Sequence, residues 1–197
     1  VKCKKNDTAA QGTMDNQAFV YDIAQALTQN AFTKAGYTFS GWATSSGSLT
    51  VVYTNGQSVQ NLATEEGAEV TLYAVWTANE YKVHFNKNDA SAQGSMEDQT
   101  HVYDATKKLT LNTFTKTGYT FAGWSNTEGG TTVDYANEAE VMNLTAEPNG
   151  IYNLYAVWTP NKYTVHFDKN NTKATGTMAD QVFTYDEFQN LNANAFA

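Results

Sequence analysis

The segment Gly36-Tyr37-Thr38-Phe39-Ser40-Gly41-Trp42, GYTFSGW, returns as GYTFAGW at Gly118–Trp124. A catalytic motif is needed once per active site. A motif that comes back at a fixed distance marks a building block. Working outward from it, Met14, Met96 and Met178 are spaced 82 residues apart, as are Tyr21, Tyr103 and Tyr185, and Phe32, Phe114 and Phe196. Tyr73 pairs with Tyr155 and Trp76 with Trp158 in the same register. The sequence is therefore read as repeat 1 over residues 1–78, lacking its first residues, repeat 2 over 79–160, and a partial repeat 3 over 161–197.

Within a repeat, Tyr81-Lys82-Val83-His84-Phe85 alternates apolar and polar residues, the pattern of a half-buried strand. A polar turn follows, and Met96–Tyr103 is a second extended segment. Asp104 is expected to open a short helix reaching about Phe114, as are Asp22 and Asp186 in the other copies. Gln25 and Gln189 stand three residues later, as in a capping box, although Lys107 takes that place in repeat 2. Gly36 and Gly118 would then stop the helix, with Lys116 favourably placed near its end. In the third strand Tyr119 and Phe121 face one side, and Gly123 is expected to mark a bulge before Trp124. Asp134–Leu144 and Tyr152–Trp158 supply two further extended segments. The expected fold class is α+β, in the order β-β-α-β-β-β, with one short helix on a mixed sheet. Gly36, Tyr37, Phe39, Trp42, Tyr73, Trp76, Gly118, Tyr119, Phe121, Trp124, Tyr155 and Trp158 are its structural motif residues. The alternative is an exposed aromatic platform for a ligand.

The chain is 41% hydrophobic and carries a formal charge of −8, and all 12 of its basic residues are lysine. An acidic, arginine-free chain argues against nucleic-acid binding and against docking on anionic membrane by charge. One cysteine, Cys3, excludes an intramolecular disulfide, and no apolar run approaches a membrane span.

The candidate chemical sites are weak. His84 and His166 are equivalent, but Lys2 replaces them in repeat 1, and no cysteine lies near, so no metal is expected. His101 stands where the other copies have Phe19 and Phe183, a position that asks for an aromatic ring. Asp168-Lys169-Asn170-Asn171 starts like a calcium loop but lacks the closing glutamate. Cys3 matches Phe85 and reads as a small core residue. No catalytic residue, cofactor or enzyme activity is expected.

The ordered set Tyr163-Thr164-Val165-His166-Phe167, Gly176-Thr177-Met178, Tyr185-Asp186, GYTFAGW and Leu154-Tyr155-Ala156-Val157-Trp158 resembles the Listeria–Bacteroides repeat, the B repeat of internalins. The resemblance covers almost the whole chain. It implies tandem β-grasp, ubiquitin-like modules in large bacterial surface proteins, often anchored to the cell wall and linked to adhesion. It carries no catalytic residues. The function it implies is a non-catalytic spacer or stalk in an extracellular, cell-surface adhesin. The alternative is that each module binds a host-cell or matrix protein or a glycan. Repeat 3 is expected to pack on repeat 2 or on another chain.

Overall fold

The computed structural model describes all residues from Val1 to Ala197 and is built from strands, turns and extended segments. Repeat 1 contributes β1 (Lys2–Lys4), β2 (Gln25–Ala26), β3 (Tyr37–Ala43), β4 (Ser58–Val59) and β5 (Thr71–Ala78). Repeat 2 contributes β6 (Glu80–Asn86), β7 (Gln99–Val102), β8 (Lys107–Lys108), β9 (Tyr119–Ser125), β10 (Glu140–Val141) and β11 (Ile151–Pro160). β12 (Lys162–Val165) and β13 (Gln181–Thr184) belong to repeat 3 and pair antiparallel.

The first sheet has the order β1-β5-β3, with β1 parallel and β3 antiparallel to the central β5. In repeat 2 the order is β7-β6-β11-β9, with β9 antiparallel to β11. The short pairs β2-β4 and β8-β10 lie outside these sheets. The chain divides into two compact units. One comprises Val1–Lys82, Thr100–Lys107 and Val141–Tyr152; the other comprises Val83–Gln99, Lys108–Glu140 and Asn153–Ala197.

The core of repeat 1 is Leu27, Phe32, Trp42, Val59, Leu72 and Ala74, with Cys3, Phe39 and Trp76 packed against it. Leu109, Phe114, Trp124, Val141, Leu154 and Ala156, each 82 residues on, are buried in the same way. The bulge expected at the second motif glycine is present: the β9–β11 register shifts between Val157 and Trp158, opposite Gly123 and Phe121. Gly41 makes the same step at φ 146°, and an added Cβ would sit 2.5 Å from Val51 Cγ1. This bulge turns Trp42 and Trp124 fully inward.

The expected helix does not form, so the α+β β-grasp assignment is overturned: the molecule is a β protein. Asp22, Asp104 and Asp186 sit at φ near +60°, at 61°, 60° and 61°. A helix N-cap occupies the extended region instead, so these aspartates close turns and cap nothing. The residues that follow spend their backbone groups on other segments. Leu27 N–H donates to Gln57 O at 2.9 Å, and Leu109 N–H to Ala139 O at 2.9 Å.

A glutamine side chain completes the arrangement in every copy. Gln17 Nε2 donates to Ala26 O at 2.8 Å while its Oε1 accepts from Thr28 N at 2.8 Å. Gln99 holds Lys108 O and Thr110 N, and Gln181 holds Asn190 O and Asn192 N. Each amide acts as one rung of a strand for a strap that has no full partner. Asn30, Asn112 and Asn194 pinch the end of the strap by accepting from the N–H of Phe32, Phe114 and Phe196 at 3.0 Å. With no helix to end, Lys116 finds another partner, Asp89, at 2.7 Å.

Candidate functional site: the joint between repeats

The GYTFxGW motif divides into two halves with different surroundings. Its Phe and Trp are core. Phe39 meets Trp42 edge-on at 4.8 Å between ring centroids and Trp76 at 5.8 Å. Phe121 meets Trp124 and Trp158 at the same distances, 4.8 and 5.8 Å. Trp76 Nε1 ties down Lys5 O, and Trp158 Nε1 ties down Lys87 O, both at 2.9 Å. Tyr73 and Tyr155 are half-buried, opposite Ala43 and Ser125 in their ladders.

The Gly-Tyr half faces the next repeat. The Tyr37 ring meets the Tyr103 ring edge-on at 5.9 Å, and its hydroxyl donates to Asp104 Oδ2 at 2.8 Å. Gly36, at φ 74°, lies flat under the Tyr103 ring, where a Cβ would come within 2.3 Å of ring carbons. Only glycine allows both the backbone angle and the approach. Gly36 is therefore a contact point, and its expected role as a helix stop falls with the helix. From the other side Lys34 Nζ sits 3.5 Å from the Tyr37 ring centroid and pairs with Asp7 at 2.7 Å.

Asn79, buried between β5 and β6, locks the link. Its N–H donates to Gly36 O at 2.8 Å, and its C=O accepts from Tyr103 N at 2.9 Å. Its amide accepts from Thr38 Oγ1 at 2.7 Å and donates to Ala146 O at 2.8 Å. Asp104 is held in turn by Asn143, which accepts from Asp104 N at 2.6 Å and donates to Asp104 Oδ1 at 2.7 Å. The Asn143 amide and then the Tyr37 hydroxyl keep the Asp104 carboxyl below the ordinary carboxylate range. The same hydrogen bond pushes the Tyr37 phenol upward.

The next boundary repeats the arrangement 82 residues on. Tyr119 and Tyr185 meet edge-on at 5.7 Å, and Tyr119 Oη donates to Asp186 at 3.0 Å. Asn161 N–H donates to Gly118 O and its C=O accepts from Tyr185 N, both at 2.8 Å. Thr120 Oγ1 donates to Asn161 Oδ1 at 2.6 Å, and Lys116 lies 3.7 Å from the Tyr119 ring centroid.

Sequence reading missed Asn79 and Asn161 as keystones and took Tyr103-Asp104 and Tyr185-Asp186 as local features. The signal was present in that all four recur at 82 residues. Geometry alone shows that the tyrosine of one copy serves the Gly-Tyr of the copy before it.

The remaining candidates form no shared site. His84 Nδ1 and His166 Nδ1 each lie 2.6 Å from an aspartate, Asp98 and Asp180, at the surface. The Asp180 hydrogen bond raises the His166 pKa. His101 is fully buried, stacked on Tyr81 at 5.4 Å, with neither ring nitrogen bonded. Burial, and then the charge of Lys107, hold it below the ordinary imidazole value. Burial pushes the Cys3 thiol upward, which makes it a poor nucleophile.

Comparison with known proteins places these repeats. A family model described as the Listeria-Bacteroides repeat domain matches residues 5–75 and 81–157. A protein of Evansella cellulosilytica named as a Gly-rich membrane protein is 34% identical over 72% of this chain and 16% of its own length. Internalin H of Listeria monocytogenes is 31% identical over 73% of this chain and 23% of its own length. The chain thus spans about a fifth of the curated relatives it matches. No solved structure matches it. Two family-model matches, each coinciding with one turn of the 82-residue period, establish that the chain belongs to the Listeria-Bacteroides repeat family.

Proposed function

We propose that this chain is part of the repeat region of a bacterial cell-surface protein and serves there as a non-catalytic spacer. The observation that carries this reading is the joint. Both repeat boundaries use the same glycine, two tyrosines, aspartate and asparagine in the same geometry. An independent binding module needs no dedicated fit to its neighbour; a spacer that must resist bending at each boundary does. The links Thr77–Glu80 and Thr159–Lys162 are too short for flexible tethers, and Pro160 stiffens the second. The parallel pairing of β1 with β5 supports load-bearing, since pulling along such strands strains several ladder bonds together. Membership of the repeat family and the relatives named as membrane proteins support the surface location.

The test is to pull the chain between its ends by single-molecule force spectroscopy and to probe its binding to epithelial cells and matrix proteins. High-force unfolding without saturable binding is expected. Saturable, salt-resistant binding by the chain would overturn the spacer reading in favour of an adhesive module.

A further inference from the structure

His101 is buried inside repeat 2, and the joint as described makes no use of its imidazole. The ring is fully inaccessible, and neither nitrogen has a hydrogen-bond partner. A neutral imidazole carries one N–H and one lone pair, so the fold already leaves a donor and an acceptor unsatisfied. A proton would add a buried charge without a counterion, which costs far more. The charged groups around the ring make no provision for one. Lys107 Nζ is fixed on Thr100 O at 2.6 Å, one residue from His101, and its charge opposes protonation. Asp98 is engaged by His84 at 2.6 Å, and Asp104 by Asn143 and Tyr37. Glu80, Lys82 and Glu147, on the neighbouring segments, are exposed. Tyr81 covers the ring face, and its hydroxyl accepts from Leu144 N at 3.4 Å.

The ring also sits in register with the joint. His101 lies on β7, a strand of four residues at the edge of its sheet, next to β6. Two residues along, Tyr103 N donates to Asn79 O, and Asn79 stands two residues before Tyr81. The antiparallel pair in repeat 3 has the same order, with Tyr163 opposite Phe183 and Tyr185 N reaching Asn161 O. Asn79, Tyr103 and Asp104 are the residues that hold Gly36 and Tyr37. An edge strand this short cannot leave Tyr81 and admit water to His101 without straining the neighbouring Asn79 contact. The other copies lack this combination. They carry Phe19 and Phe183 in place of His101, and neutral Gln25 and Gln189 in place of Lys107. The imidazole and the charge that opposes its proton therefore occur together, and in one repeat alone.

We propose that His101 is an acid-operated release for the joint between repeats 1 and 2. At neutral pH the uncharged ring packs on Tyr81 and the joint is closed. In mild acid the proton goes to a ring that has reached water, so β7 comes away from β6 and the open form is held open. The sign follows from linkage: the open strand binds one more proton than the closed one, and acid favours the form that binds more. Tyr103 and Asp104 then lose Asn79, Gly36 and Tyr37, and this boundary bends. The boundary beside Phe183 has nothing to protonate at this position and stays closed. One boundary is thus fixed, and the other responds to acid.

Amide hydrogen exchange on the full chain tests this at Asn79 and Tyr103. Trp124 N–H, bonded to Tyr135 O at 2.8 Å, serves as the core reference, and Tyr185 N–H reports the other boundary. Protection is followed from pH 7 to pH 5 after correction for intrinsic exchange. A one-proton linkage allows a loss of at most about tenfold per pH unit below about 6.5. A fall of roughly tenfold by pH 5 is expected at Asn79 and Tyr103, with Trp124 and Tyr185 unchanged. His101→Phe, which installs the residue of both other copies, should abolish the fall. The proposal is overturned if the parent chain shows no fall, if His101→Phe keeps it, or if Trp124 or Tyr185 loses protection equally. Any of these results would leave the spacer reading standing, because that reading rests on the closed joints and is tested by force and binding at neutral pH.

Discussion

Two aromatic stacks sit beside the two joints, and they differ by one ring. At the first joint Tyr81 lies on His101, at 5.4 Å and 24°; at the second Tyr163 lies on Phe183, at 5.6 Å and 17°. The geometry is shared, so the position selects for a flat ring and not for imidazole chemistry. The surroundings differ, however. His101 is wholly inaccessible, with two unbonded nitrogens, whereas Phe183 has no polar atom to leave unsatisfied. The tyrosine-aspartate contacts a few residues away keep the same partners at both joints. Fit is therefore the constant across the repeats, and polarity is what varies.

If fit holds the joint, the largest effect comes from spoiling it at Gly36. Gly36 and Gly47 share φ 74°, yet a Cβ at Gly36 would strike the Tyr103 ring while one at Gly47 meets open space. Gly47→Ala should cost only the left-handed backbone penalty, about 1–2 kcal/mol. Gly36→Ala should cost clearly more in denaturant unfolding and make the Ala78–Glu80 link sensitive to protease. Equal losses would mean that the glycine serves the backbone angle alone.

The strap comes next. Gln181→Ala removes two hydrogen bonds that hold residues 190 and 192, each worth about 0.5–1.5 kcal/mol. Limited proteolysis should then cut between residues 186 and 197 while the sheet of repeat 2 stays intact. Unchanged protection would show that the Thr175–Ala197 backbone pair suffices to hold the strap.

The contrast between the stacks is sharpest in pH. The pKa of His101 is depressed in the fold, so its neutral form contributes stability above the ordinary imidazole value. That contribution is lost as pH falls through about 6.5 toward the folded value, because the unfolded chain takes up the proton first. His166 has the opposite sign: its raised pKa gives stability present below the ordinary value and lost as pH rises through the folded one. His101→Phe should remove the acid-side loss alone. Its melting temperature should match or exceed that of the parent chain at pH 7 and exceed it by a few degrees at pH 5. A larger fall for His101→Phe than for the parent would show that the imidazole makes a needed contact.

Much of this architecture is written in the period. The 82-residue register, the strand at GYTFxGW, the bulge at Gly123 and the buried Trp42 and Trp124 follow from alternation and from where glycine stands. The helix was misread because Asp followed by Gln three residues on is a local signal. It takes no account of Gln17, Gln99 and Gln181, whose amides offer the same segment an extended alternative. The joint was illegible for a related reason. Tyr37 and Asp104 are separated by 67 residues, and no pattern inside one repeat says that its surface tyrosine belongs to the next. The copies testified to a shared environment without saying whose residues made it.

The smallest effect should come from the joint's own hydrogen bond. Tyr37→Phe removes the hydroxyl that reaches Asp104 but keeps the ring against Tyr103 and under Lys34. An exposed bond of this kind exchanges one partner for water, so it contributes little net stability. Asp104 also retains Asn143, the larger cause of its lowered pKa. In Tyr37→Phe the carboxyl pKa, followed by NMR titration, should rise and yet remain below the ordinary range. The melting temperature should change far less than in Gly36→Ala. A loss as large as that of Gly36→Ala would reverse the order argued here. It would make the tyrosine-aspartate bond, and not the close approach of glycine to a ring, the feature that fixes one repeat against the next.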